Sequence, residues 1–347
     1  MMLPIIADTN FEKLCILDDY STFIWTSRYY SPGDFELCVP VNDRSREAIR
    51  KGYYVFRDDS NDVGIIERIE IQNNADGAEL FIAKGRFASS ILGRRIISTQ
   101  TQLNNKTIDA ACATLIDQEI INPEIPERAI RNFSVDHTYT TQKKITIQIT
   151  GKNLLEAVEK ICESNGIGFR VGIENGDFVF SMYEGTDRSY GQSVNPYVVF
   201  SDKYDNLLSS EYWENYQDMI TDVLIAGEGE GLDRKTLWVT REGLSGLERY
   251  EFYQDARNMS TNDGEIPEAE YYEQLHAEGL ESITSYTAAF SGEVDFAGVR
   301  YGVDVFLGDI CTVENSRWGI RMNSRLVEVM EAIDEAGAYT ITPTFGV

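Results

Sequence analysis

The hydrophobic residues of this chain come in short alternating bursts cut off by turn residues, and none approaches the ~18 consecutive apolar residues of a membrane-spanning helix. Leu14–Leu17 and Phe23-Ile24-Trp25 are two such bursts. Within Arg28–Pro40, the turn signal Ser31-Pro32-Gly33-Asp34 leads into Phe35, Leu37 and Val39, which alternate with Glu36 and Cys38. A period of two puts one set of side chains on a single face, so this pattern specifies half-buried strands. Tyr53–Arg57, Gly64–Ile71 and Glu79–Ala83 continue it, with Asn73-Asn74-Ala75-Asp76-Gly77 as a hairpin turn. Many short strands at even spacing predict a small barrel or sandwich for the first hundred residues.

The period then changes. Ile108, Ala111, Cys112 and Leu115 fit a helix, and so do Leu154, Leu155, Val158, Ile161 and Cys162, capped by Asn153 and closed by Asn165-Gly166. Lys144–Ile149 alternates as a strand, and Gly168–Ile173 with Asp177–Tyr183 reads as a hairpin across Glu174-Asn175-Gly176. This middle stretch predicts an α+β module. Strands return at Leu208–Asn215, Asp218–Ala226 and Thr236–Thr240, then at Ala288–Phe296, Ile310–Val313, Ser324–Ala332 and Tyr339–Phe345. Between Pro267 and Thr284 a helix is expected, and Asp263–Glu281 holds seven acidic residues with no Lys or Arg.

With 347 residues, 42% of them hydrophobic, the chain can hold two or three domains of ~100–200 residues each. Net charge is −26, of which residues 1–100 supply only −3. That balance argues against wrapping nucleic acid, which needs clustered Lys and Arg. The N-terminus lacks a basic start and a long apolar stretch, so no secretory signal is expected. Cys15, Cys38, Cys112, Cys162 and Cys311 form no C-x-x-C pair and read as small buried hydrophobes of a chain made in a reducing cytoplasm.

The most enzyme-like stretch is Thr221–Lys235, where the apolar run Val223–Ala226 empties into Gly227, Gly229 and Gly231. A dinucleotide fingerprint needs G-x-G-x-x-G opening a helix, so that backbone amides and the helix dipole face phosphate. Here the spacing is G-x-G-x-G, the next segment reads as a strand, and Glu228 and Glu230 would repel phosphate. A turn or bulge between strands is the reading, with Asp233-Arg234 pairing locally. The two histidines, His137 and His276, stand far apart in sequence and outside any zinc-protease spacing. Gly243-Leu244-Ser245-Gly246 misses the serine elbow by one position, and Asp18-Asp19 and Asp58-Asp59 are pairs that an acidic chain produces by chance. Asp255–Glu270 lacks the calcium-loop spacing. No catalytic, cofactor-binding or metal-ligating residue is assigned.

Seven segments in order carry a resemblance: Trp25–Pro40, Gly64–Ile71, Lys84–Ile97, Gly151–Gly166, Asp222–Arg234, Tyr250–Met259 and Tyr301–Glu335. Together they make the chain similar to the siphophage tail and baseplate hub family, whose N-terminal part resembles the trimeric hub of contractile tails. No single motif is specific; the order is. The resemblance implies a mainly β chain with an α+β insertion. A first tube-like β-barrel domain would occupy residues 1–102, an α+β domain 103–205, and a second barrel 206–347 with a helical insertion at about 263–284. It further implies a non-enzymatic homotrimer of pseudo-sixfold symmetry in the virion tail tip, assembled in the host cytoplasm. The ring would join the hexameric tail tube or distal tail protein to a tip, fibre or lysin protein, next to a tape-measure protein. Genomic DNA would pass without specific binding, and no membrane anchor or cofactor is expected. The larger relatives continue into a peptidoglycan-cleaving or fibre-like domain, whereas this sequence stops at Val347, straight after its last expected strand. The surplus acid is then expected to line the channel in part and keep DNA sliding. A cell-wall hydrolase or a carbohydrate- or receptor-binding tail module is the alternative.

Overall fold

A computed structural model describes residues 2–73, 77–241, 243–292, 294 and 299–346. The chain is mainly β. Its longest sheet has ten strands, eight of them in one continuous path. These are β1 (Thr22–Arg28), β2 (Asp34–Pro40), β3 (Arg68–Asn73), β4 (Glu79–Arg86), β5 (Glu211–Asn215), β6 (Thr287–Ser291), β7 (Ile320–Ile333) and β8 (Tyr339–Gly346). The path runs β5-β6-β8-β7-β1-β2-β4-β3. All neighbours along it are antiparallel. Of the remaining two strands, Ile310–Asn315 pairs antiparallel with the first half of β7, and Val199–Ser201 pairs parallel with Ile310–Asn315.

Alternation decides which face is buried. Phe23, Trp25, Phe35, Leu37, Val39, Phe81 and Ala83 point into one core, which Ile333 from β7 completes. A four-stranded sheet of Lys13–Ile16, Ile5–Ala7, Tyr54–Phe56 and Gly64–Ile65 supplies that core's other wall through Ile6 and Val55. The second half of the long sheet buries Phe290, Leu326, Val329 and Phe345 against Phe200 and Val313.

The two halves of the path share one topology. In the first, the chain order along the sheet is β1-β2-β4-β3; in the second it is β5-β6-β8-β7. Their closing hairpins match residue for residue: Asn73 pairs with Glu79 and Ile333 with Tyr339, with five residues between in each case. The fourth of those five is a left-handed glycine both times, Gly77 (φ 82°) and Gly337 (φ 78°). The halves meet at β7–β1, where Met330 lies opposite Thr26 and Glu331 opposite Trp25. The expected closure into two barrels is absent among the described pairings, since the path ends at β5 and β3.

Between the halves sits the α+β part. Helix Leu154–Asn165 starts at Asn153, whose side chain accepts from the Leu155 amide at 2.9 Å, and stops at left-handed Gly166. It packs with helix Ile108–Ile116 and the hairpin Gly168–Glu174/Asp177–Tyr183 around Phe169, Val171 and Phe180. The polar strand Thr101–Thr107, paired with Lys144–Ile149, departs from the sequence expectation, as does the short helix Asp43–Ala48 with its Asn42–Ser45 capping box.

The inserted helix does not stand alone. Between β5 and β6 the chain builds a three-stranded sheet, Thr236–Thr240/Asp222–Ala226/Glu251–Asp255, covered by helix Glu268–Ser282 through Tyr271 and Leu275. The glycine stretch belongs to this sheet and not to the long one. Nor is the helix's acid all turned to solvent: Glu278 pairs with Lys152 at 2.7 Å and Glu281 with Lys160 at 3.2 Å. The expected strand Ala288–Phe296 is β6 up to Ser291, and its last residues lie outside the described ones, as do residues 74–76 of the Asn73–Gly77 turn.

Candidate functional site

The glycine stretch is a hairpin turn between Asp222–Ala226 and Thr236–Thr240. The Gly227 amide donates to the Lys235 carbonyl at 2.8 Å, and the Lys235 amide returns to Glu228 at 2.9 Å. Gly229 has φ +94°, and a Cβ there would sit 2.6 Å from the Asp233 carbonyl, so the turn requires glycine. The Glu228 carboxylate points inward, accepting from Lys235 Nζ at 2.9 Å, the Thr261 amide at 2.7 Å and the Thr261 hydroxyl at 2.8 Å. Against the cost of desolvation, the Thr261 and Lys235 hydrogen bonds take its pKa down to about 2. Arg234 pairs with Asp255 across the sheet and not with Asp233, and it donates to the Ala226 and Gly227 carbonyls. The turn's donors and charges therefore serve the turn itself.

The other sequence candidates stay apart. His137 is exposed in a loop, and His276 is exposed on the acidic helix. Asp18 and Asp19 share Arg44, Asp59 is held by Arg57, and Ser245 lies exposed in a turn. Among the described residues no group of His, Cys, Asp and Glu is placed to hold a metal ion. Cys38, Cys112, Cys162 and Cys311 are buried and unbridged, and Cys15 is half-buried. Burial pushes the Cys311 thiol up, and the adjacent Cys112 together with burial does the same to Cys162.

Sequence reading missed a junction where three distant segments converge. Its centre is Tyr29, fully buried, whose hydroxyl lies 3.1 Å from the Gly166 carbonyl and 3.3 Å from that of Tyr183, and accepts from the Gly185 amide at 3.1 Å. Beside it, buried Arg57 forms a two-pronged pair with Glu331 and a second with Asp59. A cavity of about 500 Å³ opens here, lined by Ser27, Asp62, Arg170, Tyr183, Tyr301 and Asp309 among others. Burial raises the Asp62 carboxyl above its ordinary range, opposed by the Ser27 hydroxyl at 2.7 Å and by Arg170. Asp309 is engaged by Arg188 at 2.7 Å and by the Thr186 amide at 2.7 Å. The carboxylates around this cavity are thus structural partners that tie the beginning, middle and end of the chain together. The sequence offers no hint of them, since a contact spanning 274 positions leaves no local signal.

The other notable surface is backbone. β3 and β5, the two ends of the long sheet, each leave one strand edge without a partner among the described residues. On β3, Ile69 and Ile71 stand on the same face as buried Phe81 and Ala83, yet Ile71 is 65% exposed. On β5, Tyr212 shares its face with buried Phe290, and Trp213 on the opposite face is exposed. A core-facing row of apolar side chains that runs on into solvent beside an open edge is an unfinished sheet.

The model of the family described as Siphovirus ReqiPepy6 Gp37-like protein matches residues 4–347. Curated protein sequences contain no match. Among solved structures, the tail protein from Neisseria meningitidis MC58 is similar in fold, with a TM-score of 0.59 at 13% identity over 100% of this chain and 96% of that one. The 43 kDa tail protein of prophage MuSo2 from Shewanella oneidensis aligns with a TM-score of 0.54 at 13% identity, covering 99% and 97% of the two chains. Prophage tail protein gp18 from Listeria monocytogenes EGD-e gives 0.54 at 12% identity, covering 99% and 94%. At such identities the likeness speaks for the fold alone.

Proposed function

The chain belongs to the Siphovirus ReqiPepy6 Gp37-like protein family, and from that premise we propose that it is a structural hub of the phage tail tip, working as a ring of three copies. The observation that carries this reading is the long sheet, whose halves β1–β4 and β5–β8 repeat one topology and end in two open edges. Three copies of a twofold-repeated sheet give pseudo-sixfold symmetry, which suits a joint between a hexameric tail tube and a trimeric tip. In this reading each half is one tube-type unit, about residues 1–102 and 206–347, with the α+β part 103–205 as decoration outside the ring. The sheet then becomes a barrel only in the assembly.

The channel wall would be the face opposite the cores. It carries Arg28 paired with Asp34 and Glu328, Lys84 paired with Glu36, and Arg68 paired with Glu70. Those charges, all but Glu328 from the first half of the sheet, nearly cancel, so that part of the wall is read as polar and ion-paired. Such a wall offers DNA phosphates neither a sink of Lys and Arg nor strong repulsion, and that lets DNA slide. Catalysis has no part in this reading. Labelling of virions with an antibody to the chain is the test: signal at the tail tip is expected, and signal confined to the capsid or absent from particles would overturn the proposal.

A further inference from the structure

The repeat inside the long sheet specifies how one copy meets the next, residue by residue. Pairings in each half can be followed across the sheet. In the first half, Arg86 of β4 lies opposite Asp34 of β2, and Asp34 opposite Thr26 of β1. In the second, Gly346 of β8 lies opposite Ala289 of β6, and Ala289 opposite Trp213 of β5. Arg86 and Gly346 each stand seven residues beyond the first pair of their hairpins, Asn73–Glu79 and Ile333–Tyr339. Trp213 is therefore the counterpart of Thr26. By the same hairpins, Glu70 (opposite Ile82) is the counterpart of Met330 (opposite Thr342).

Within the chain, Met330 lies opposite Thr26 at the β7–β1 joint. Their counterparts, Glu70 and Trp213, sit on β3 and β5 at the far ends of the sheet, and no described strand pairs with either edge. We propose that β3 of one copy pairs antiparallel with β5 of a second copy, with Glu70 opposite Trp213, Ile71 opposite Tyr212 and Gln72 opposite Glu211. The joint between chains then repeats the joint within the chain. The faces agree with this register: Ile71 and Tyr212 both stand on core sides, beside Phe81 and Phe290. A slip of one residue would turn Ile71 against the polar wall. Because the two edges differ, the contact is head-to-tail and propagates until a ring closes. The proposal rests on the ring reading above but fails separately from it.

The test is cross-linking of the full chain in a Cys15→Ser background, since Cys15 is the only cysteine not buried. Gln72 and Glu211 are both exposed. Residues directly opposite on antiparallel strands hold their Cβ atoms about 4.5–5.5 Å apart, near enough for a disulfide after slight adjustment. Mild copper–phenanthroline oxidation of the Gln72→Cys/Glu211→Cys variant is expected to give a ladder of covalent oligomers ending at three chains, which either single variant does not give. Ile71→Asp is expected to dissociate the oligomer while leaving the far-UV circular dichroism and melting temperature of the monomer unchanged. A protein that sediments as an oligomer, yet neither cross-links through this pair nor responds to Ile71→Asp, overturns the seam and leaves the ring standing. A protein that is monomeric at every concentration overturns both.

Discussion

Arg57 and Glu331, 274 positions apart in sequence, meet in a two-pronged pair with Nη1–Oε2 at 2.8 Å and Nη2–Oε1 at 3.1 Å. Arg57 is 4% exposed and Glu331 8%, and the guanidinium also lies 5.6 Å from the Trp25 ring. The pair bolts the last hairpin of the chain to its first core at the β7–β1 joint. Removing one partner of a buried pair leaves a desolvated charge behind. Glu331→Ala is therefore expected to cost about 3 kcal/mol in urea unfolding. Glu331→Gln, which keeps the shape but removes the charge, should cost nearly as much, because Arg57 still loses its partner carboxylate. A Gln variant as stable as the parent would mean that packing, not charge, holds the joint.

Tyr29 ties β1 to the α+β part through its hydroxyl. Tyr29→Phe keeps the ring but strands the Gly185 amide and takes a donor from the Gly166 and Tyr183 carbonyls. A loss of about 2 kcal/mol is expected, because buried backbone groups left unpaired cost their full desolvation. Hydrogen exchange should locate the loosening at residues 166–185, and exchange unchanged there would contradict the assignment.

At the glycine turn, Gly229→Val forces a β-branched residue to φ +94° and against the Asp233 carbonyl. Strain of this kind is worth about 1–3 kcal/mol. The melting temperature should fall, while titration calorimetry with ATP or NAD should detect no binding to the parent chain. Measurable affinity for either nucleotide would reverse the reading of Thr221–Lys235.

Two carboxylates predict opposite pH effects. The Glu228 pKa is depressed from its ordinary 4.5 to about 2, so its contribution is present above pH 4.5 and is lost as pH falls towards 2. Glu228→Gln should therefore destabilise at pH 7 by about 1 kcal/mol, given the exposure of the site, and the gap to the parent should close on acidification. Glu159 runs the other way. Burial first, then Glu156 and Glu163, push it up to about 7, so ionising it in the folded state is unfavourable. Glu159→Gln should stabilise by about 1 kcal/mol at pH 8, with the advantage fading between pH 7 and 4.5. Parallel stability–pH curves for parent and variant would refute either assignment.

What the sequence revealed follows the range of the interactions. Period-two alternation located β1, β2 and β4, and period 3.6 with Asn153 and Gly166 located helix Leu154–Asn165, because both signals are local. The strand Thr101–Thr107 escaped because TQLNNKT is polar and its strand character comes from pairing with Lys144–Ile149. Helix Glu268–Ser282 was legible, but its company was not: nothing local in Glu278 or Glu281 announces Lys152, just before helix Leu154–Asn165, or Lys160 within it. The glycine stretch reads from its spacing as a turn between strands and is one, yet it belongs to a different sheet from the one expected. Sheet membership is set by long-range pairing that spacing does not encode. The repeat of β1–β4 in β5–β8 was hidden for the same reason, surviving in sequence as Gly77-Ala78 and Gly337-Ala338 at matched hairpin positions and as Phe35 and Phe290 on β2 and β6.

Sedimentation equilibrium of the purified chain over a range of loading concentrations addresses the central claim most directly. The account predicts a species with the mass of three 39.3 kDa chains at the higher concentrations. A single species with the mass of one chain throughout would contradict it.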